Sequence, residues 1–243
     1  MSIDYKPAVH FNHVSYAIDG NKILKSVTGS FPEGKITTLV GPSGAGKTTL
    51  LKLCNGLLSP ALGELYVKGQ LIESYEPTEL RRLVGIALQS APMVSGTVYG
   101  NLALPMELQN KKLSEDAALQ LLHDVGLEEE FLHRNVSDLS GGQRQKVSIA
   151  RTLVNQPAIL LLDEITSSLD RTSLKEIEEL IVAINRKYRT TMIWITHNLQ
   201  QALDIGDFTW VMMEGEVIET GESDLLKSPA TEKVRRFVKG GAV

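Results

Sequence analysis

One short segment constrains the fold of this chain more than any other: a glycine-rich run ending in Lys-Thr, placed between an apolar segment and a helical pattern. The run is Gly41-Pro42-Ser43-Gly44-Ala45-Gly46-Lys47-Thr48, which fits G-x-x-x-x-G-K-[ST] in full. Apolar character predicts a buried strand over 35–40, and periodicity predicts a helix over 47–56. This order predicts a phosphate-binding loop at the carboxyl end of a strand in an α/β fold.

The residue types of this loop indicate which ligand it holds. Glycines let successive backbone N–H groups turn inward around phosphate oxygens, and the following helix directs its positive end at them. Lys47 can reach the β- and γ-phosphates, and Thr48 offers a hydroxyl to Mg²⁺. An ordinary glycine turn is the alternative, but it needs neither of these side chains. We predict that the chain binds and hydrolyses MgATP, held by Gly41, Ser43, Gly44, Gly46, Lys47, Thr48 and Thr49.

A second apolar segment, 159–162, ends in two adjacent acids, Asp163 and Glu164. Acids at the end of a buried strand are costly without a positive partner, which MgATP would supply. The first acid holds magnesium in P-loop NTPases, so we predict this for Asp163. Glu164 is expected to point the other way on the pleat and to polarise the attacking water. The alternative is that Glu164 only caps the following turn.

A further helix start resembles an anion site. Leu139-Ser140-Gly141-Gly142-Gln143 precedes an amphipathic pattern over 141–155, with Ser140 as the expected N-cap. Two glycines and a serine at a helix start offer N–H groups and a hydroxyl to an anion. Taken alone, an ordinary capped helix is the commoner explanation.

The bulk composition narrows the remaining classes of protein. The chain has 243 residues, 42% of them hydrophobic, which is enough for one large domain. Its 25 basic and 29 acidic residues form no long block of like charge, so nucleic acid is not an expected partner. The single cysteine, Cys54, lies among leucines and is expected to be a small core residue. No run of about 18 apolar residues is present, so we expect no membrane span.

The order of predicted elements gives an α/β fold: a P-loop NTPase core with a mostly parallel sheet, an antiparallel β subdomain at the front and an inserted helical subdomain. The helical subdomain is expected over about 91–155, where strand patterns are missing, within one domain spanning 1–243. Strands are predicted at 9–16, 35–40, 64–67, 84–88, 159–162, 191–196, 209–213 and 216–219. Helices are predicted at 47–56, 114–125, 141–155, 172–188 and 232–239.

Together, the three motifs resemble those of the ATP-binding cassette (ABC) transporter ATPases over nearly the whole chain. Segment 41–48 resembles the Walker A motif, 139–143 the signature motif and 160–164 the Walker B motif. The resemblance implies that two chains form a homodimer head to tail on binding ATP. The signature residues Ser140, Gly141, Gly142 and Gln143 of one chain would then face the nucleotide held by the other.

The resemblance also assigns single residues. Tyr16 matches the aromatic that stacks on adenine, although a tyrosine packed in a β layer is the alternative. Gln89 matches the glutamine that reaches Mg²⁺ or the water, and His197 matches the histidine that contacts the γ-phosphate. Asp170 matches an interface loop of the dimer, while a helix N-cap is its other possible role.

The function implied is that of an ATPase subunit that powers solute transport through a separate integral-membrane permease, at the cytoplasmic face of the membrane. Segment 134–138 lacks the Glu-bearing pattern of exporters with fused membrane domains. Segments 163–170, 96–102 and 194–197 are similar to a subgroup linked to bacterial iron export and plant aluminium tolerance, which implies a metal ion as solute. Permease docking is expected at 91–94 and Tyr99, unless these residues only pack the subdomain.

Two other functions remain open at this point. One is a soluble assembly ATPase of the same family, for example one that serves an iron–sulfur scaffold. The other is an ATP sensor without hydrolysis, which the joint presence of Glu164, Gln89 and His197 disfavours.

Overall fold

The computed structural model describes residues 5–240, so residues 1–4 and 241–243 of the predicted domain lie outside the described residues. Within 5–240 the strands are β1 (Pro7–Ile18), β2 (Asn21–Pro32), β3 (Ile36–Val40), β4 (Leu62–Val67), β5 (Gln70–Leu71), β6 (Val84–Leu88), β7 (Ile159–Asp163), β8 (Thr191–Ile195), β9 (Phe208–Met213) and β10 (Glu216–Glu222). The α-helices are α1 (Lys47–Cys54), α2 (Pro77–Leu83), α3 (Val98–Glu107), α4 (Glu115–Asp124), α5 (Gly141–Leu153), α6 (Arg171–Tyr188), α7 (Leu199–Ile205) and α8 (Glu232–Val238). Short 3₁₀ helices occur at Ile72–Ser74, Glu129–Phe131, Val136–Asp138 and Ser223–Leu226.

The larger sheet has six strands in the order β10-β9-β3-β8-β7-β6. Its strands run parallel from β9 to β6, and only the edge strand β10 is antiparallel. Every residue of β3 and β8 is buried, as continuous apolar runs predict for central strands covered on both faces. The mostly parallel sheet is confirmed. Its parallel strands end at one edge, where side chains from separate parts of the chain meet.

The smaller sheet is antiparallel, in the order β2-β1-β4-β5. Its inner face packs on the larger sheet in a cluster that includes Phe11, Phe31 and Trp210, with the Phe31 and Trp210 rings 4.4 Å apart. The antiparallel front sheet is confirmed, but the sequence prediction missed β2. The reason is that Ser26 has a left-handed backbone (φ 52°) and the β1–β2 register shifts repeatedly, so apolar residues do not alternate.

The segment between β6 and β7 contains three α-helices, α3, α4 and α5. Their apolar faces share one cluster with α6 and with Leu162 and Trp194 of the larger sheet. The prediction missed α3, which contains Gly100 and Pro105 and therefore has weak helical propensity. It also missed the helices α2 and α7, whose buried residues, Leu80 in α2 and Gln201 and Ala202 in α7, form no apolar stripe. Along residues 5–240, no helix is long and apolar enough to cross a membrane.

An acidic side chain at the end of α4 joins this helix to the end of α6. The Asp124 side chain is only 3% exposed and accepts hydrogen bonds from Lys187 Nζ (2.5 Å), Gln120 Nε2 (2.9 Å) and the Tyr188 hydroxyl. Burial raises the pKa of Asp124, but the hydrogen bonds from Lys187, Tyr188 and Gln120 outweigh burial, so the pKa lies below its ordinary value. The carboxylate is therefore a stabilising contact between the two helices.

We expect Asp124→Asn to lower the free energy of unfolding by about 1–3 kcal/mol at pH 7, because charge-assisted hydrogen bonds are lost. A depressed native pKa stabilises the fold above the unfolded pKa, and this stabilisation is lost as the pH falls through the native value. The difference between wild type and variant should therefore begin to shrink near about pH 4, the ordinary pKa of an aspartate, and disappear only below the lower native pKa. Denaturant unfolding from pH 3 to 8 measures this, with the exposed Glu179→Gln on α6 as control. Equal stability at pH 7 would contradict the prediction.

Candidate nucleotide-binding and hydrolysis site

The glycine loop between β3 and α1 has the backbone that a phosphate cradle requires. Gly44 and Gly46 are left-handed, with φ of 80° and 95°, and such residues point successive N–H groups to one side. Gly41 has φ 146°, and a Cβ there would overlap the carbonyl oxygen of Met212. The loop therefore needs glycine for its own conformation and for close packing on β9.

Lys47 arches back over the loop. Its Nζ donates to the carbonyl oxygens of Gly41 (2.8 Å) and Pro42 (2.9 Å), and the residue is 5% exposed. Burial lowers the pKa of Lys47, while the negative charges of Glu164 and Asp163 act in the opposite direction. Because an ammonium has three N–H donors, two such bonds leave one for a phosphate oxygen.

Thr48 and Asp163 meet beside this loop. The Thr48 hydroxyl donates to Asp163 Oδ1 at 3.2 Å. Burial raises the pKa of Asp163; the Thr48 hydrogen bond lowers it, and the charge of Glu164 raises it further. The half-buried carboxylate is next to a hydroxyl, and the positive charges around it do not offset the effect of burial on its pKa. Two such neighbouring oxygen ligands suit a divalent cation. Within 5–240, no group of three or more His, Cys, Asp or Glu side chains is placed to hold a metal ion.

Glu164 lies just after the end of β7 and has a left-handed backbone, with φ 51°. Its N–H donates to Ile195 O at 3.2 Å. The expectation that Glu164 continues the pleat was therefore wrong, because the chain turns at this residue. The turn brings Glu164 Oε1 within 2.6 Å of Nε2 of His197, which follows the neighbouring strand β8. Both residues line a cavity of about 340 Å³ together with Thr166, Ser167, Leu169, Leu174, Thr196 and Asn198.

Gln89 follows β6 and joins the same edge. Its Nε2 donates to the Ser167 hydroxyl at 2.7 Å, and that hydroxyl donates to the Glu164 carbonyl oxygen at 2.9 Å. Four adjacent strands, β3, β8, β7 and β6, thus bring together the glycine loop, His197, the two acids and Gln89. The sequence analysis did not single out Ser167, although the hydroxyl-rich run Thr166-Ser167-Ser168 after the acids was a visible signal.

The second helix start lies in a different cavity. Ser140 caps α5: its hydroxyl accepts from Gln143 N–H (3.2 Å), and Gln143 Oε1 accepts from Ser140 N–H (2.9 Å). The Gln143 side chain is thus engaged in the cap. Ser140, Gly142 and Gln143 line a cavity of about 280 Å³ with Lys146 and Ser173, and no residue of the glycine loop lines it.

Two other predicted residues have local roles in the structure. Asp170 is the N-cap of α6 and accepts from Thr172 N–H (3.0 Å), Ser173 N–H (3.1 Å) and the Ser173 hydroxyl (2.8 Å). Tyr16 is partly buried against the cluster between the two sheets. Tyr16 pairs with Leu24 of β2. The Leu24 side chain lies so close to Gly46 that a Cβ on Gly46 would contact it, so this part of β1 lies near the glycine loop.

Comparison with known proteins identifies this arrangement. The sequence matches the ABC transporter family over residues 24–167. The chain belongs to this family. YjkB of Bacillus subtilis (strain 168), named as an ABC transporter ATP-binding protein, is 44% identical over 97% of this chain and 95% of its own.

Solved structures of ABC cassettes agree with this family. CbiO1 of Clostridium perfringens, described as part of the ABC transporter complex CbiONQ, superimposes with a TM-score of 0.84 at 29% identity, covering 96% of this chain and 95% of its own. The cassette MJ0796, solved as a dimer in a post-hydrolysis state with ADP and Pi, gives a TM-score of 0.77 at 30% identity over 88% of this chain and 98% of its own. The chain is therefore an ABC ATPase, of a family that binds ATP.

The ABC cassette exposes only part of the segment predicted to dock a permease. Val94 is 52% exposed and Pro92 is also exposed. Ala91 is buried, and Tyr99 packs against the helical cluster while its hydroxyl donates to Leu113 O at 2.8 Å. For Ala91 and Tyr99 the structure supports the alternative, which was packing within the subdomain.

Proposed function

We propose that this chain, as a single cassette over its whole length, forms a head-to-tail homodimer on binding ATP and hydrolyses the nucleotide at two shared sites. One observation carries the proposal: the chain has two helix starts suited to anions, and no residue of the glycine loop lines the cavity that contains Ser140, Gly142 and Gln143. A head-to-tail pair would bring Ser140 and the glycines after it opposite the glycine loop of the other chain. Asp170, on the loop before α6, would lie at the same interface.

The side chains at the sheet edge have separate roles in binding and hydrolysing the nucleotide. The glycine-loop N–H groups and Lys47 bind phosphate oxygens, and Tyr16 stacks on adenine. Thr48, Asp163 and Gln89 hold Mg²⁺, which when bound neutralises charge on the β- and γ-phosphates.

Glu164 acts on the attacking water. Its carboxylate orients the water and accepts its proton, and the contact with His197 Nε2 fixes the orientation of that carboxylate. A neutral imidazole has one N–H donor, so when the cavity closes His197 would donate to the γ-phosphate in place of Glu164.

We infer that the dimer serves a separate membrane permease and works at the cytoplasmic face of the membrane. CbiO1, a structural neighbour, is described as part of a transporter complex. An apolar cleft of about 590 Å³ lies where α3, α4 and α5 meet the core and offers a docking place; its lining includes Met106, Leu113, Leu121, Val154 and Tyr188. We further propose that the transported solute is a metal ion, supported by the resemblance of the sequence to the subgroup linked to iron export and aluminium tolerance.

Turnover should rise faster than linearly with protein concentration, because neither chain holds a complete site alone. We expect Mg²⁺-dependent hydrolysis to follow about the square of the concentration while monomer dominates, and light scattering to show a dimer in ATP. Lys47→Ala is the control for a contaminating ATPase. Turnover strictly proportional to concentration, from a protein that stays monomeric in ATP, would contradict the proposal.

A further inference from the structure

Side chains of α5 hold the chain on both sides of Gln89. Gln145, which is 2% exposed, donates from Nε2 to Leu88 O at 3.3 Å, one residue before Gln89. Arg151, in the last turn of the same helix, donates from Nη2 to Pro92 O at 2.7 Å, three residues after it. The helix that begins at the signature is thus bonded directly to the Gln89 segment.

Asn101, on α3, completes this contact. It is 1% exposed, and its Nδ2 donates to Val94 O (2.8 Å) and Thr97 O (3.1 Å). Its Oδ1 accepts from Val94 N–H (2.9 Å) and from Arg151 Nη1 (3.2 Å). All four hydrogen-bonding positions of the amide are used, so its orientation is fixed.

Two further observations show that the surrounding residues fix the backbone conformation of the segment after Gln89 and do not only bury it. Ala91 has a left-handed backbone, φ 42°, which costs a non-glycine residue energy and persists only where the surroundings impose it. Burial lowers the pKa of Arg151, whose guanidinium donates here to uncharged oxygens on two different segments. A partly desolvated cation on two such acceptors is a strong and directional contact.

We propose that Arg151 and Asn101 are positioning residues that link Gln89 in one nucleotide site to Ser140, which serves the other. The inference rests on the proposed head-to-tail dimer. The α5 helix is 13 residues long, and its rise places Arg151 about 16 Å along the axis from Ser140. A displacement of the Gln89 segment, when it engages the phosphate and metal, is transmitted through Pro92, Arg151 and the rigid helix to its first turn. Each site thereby sets the position of the signature in the other.

The test compares wild type with Arg151→Met, Arg151→Lys and the control Arg186→Met, an exposed arginine of α6. Three quantities are measured. They are the Kd of the monomer for MgATP, kcat at protein concentrations where the dimer is fully formed, and the association constant of the dimer in ATP, the last in chains that also carry Glu164→Gln. We expect Arg151→Met to lower kcat and the dimerisation constant about tenfold each, while the monomer Kd stays within about twofold. The Val94 amide should also exchange with solvent faster. Arg151→Lys keeps the charge, so its kcat and dimerisation should lie between those of wild type and Arg151→Met. If Arg151→Met does not fold, Arg151→Lys is compared with wild type instead.

The outcomes separate this inference from the proposed function. A folded Arg151→Met with the kcat and dimerisation of wild type overturns the inference alone. A loss of monomer ATP binding as large as the loss of kcat also overturns it, because that result indicates a general structural role. A wild type that neither pairs nor hydrolyses ATP contradicts the head-to-tail dimer, and the inference fails with it.

Discussion

Replacing Glu164 with glutamine is expected to lower the rate of ATP hydrolysis about a thousandfold, because the carboxylate that accepts a proton from the attacking water is lost. Binding should change by no more than about threefold, since the glycine loop and Lys47 are untouched. The amide oxygen can still accept the hydrogen bond from His197 Nε2, so the cavity keeps its shape. The protein should accumulate as a dimer in ATP, because closure occurs and the γ-phosphate is not removed.

Single-turnover hydrolysis and equilibrium ATP binding, measured on the same preparation, separate the two effects. Glu179→Gln makes the same chemical change at an exposed position on α6 and should behave as wild type. Turnover by Glu164→Gln above about a tenth of the wild-type rate would exclude Glu164 as the base, since general-base catalysis is worth at least about a hundredfold.

A carboxylate introduced at Gly141 is expected to reduce hydrolysis about a hundredfold without unfolding the chain. A Cβ at Gly141 would have Leu169 Cδ2 at 3.8 Å as its nearest neighbour, an ordinary contact. An acid in the first turn of α5 also favours the helix dipole, so Gly141→Asp should fold normally. Its charge would face the γ-phosphate bound by the partner and repel it.

Gly141→Asn has nearly the same size without the charge, so it should lose much less activity than Gly141→Asp. The monomer Kd for MgATP should be unchanged in both, since no residue of the glycine loop of the same chain lines the cavity at the start of α5. Equal losses in the two variants would show that bulk, and not charge facing a phosphate, causes the defect. By contrast, Gly142 does not permit this comparison, because a Cβ there would lie 2.8 Å from the Ser173 hydroxyl oxygen.

The core of the fold and most of the site were predictable because their signals are local. The glycine loop, the strand ending in Asp163 and the cap at Ser140 each depend on residues close in sequence. Gln89 and His197 were assigned through the family resemblance, and the structure brings them to the site because both follow parallel strands, whose ends share one edge.

Features that depend on tertiary packing were not predictable. Arg151 and Asn101 are 50 residues apart, and Asp124 and Lys187 are 63 apart, so no periodic pattern relates them. The left-handed backbone of Glu164 was missed because two adjacent acids after a strand indicate nothing about the turn between them. The strand β2 was missed for a similar reason, since its bulges remove the alternation on which strand prediction depends.

The central claim is that each nucleotide site is completed by the second chain, and mixing two inactive variants tests it most directly. Lys47→Ala damages the glycine loop and Gly141→Asp damages the signature, so each homodimer has two defective sites. A mixed dimer has both defects in one site and an intact second site. The account predicts that equal amounts of the two proteins recover up to about a quarter of wild-type hydrolysis, since half the dimers are mixed and each has one working site. A mixture as inactive as its components, with mixed dimers shown to form, would contradict it.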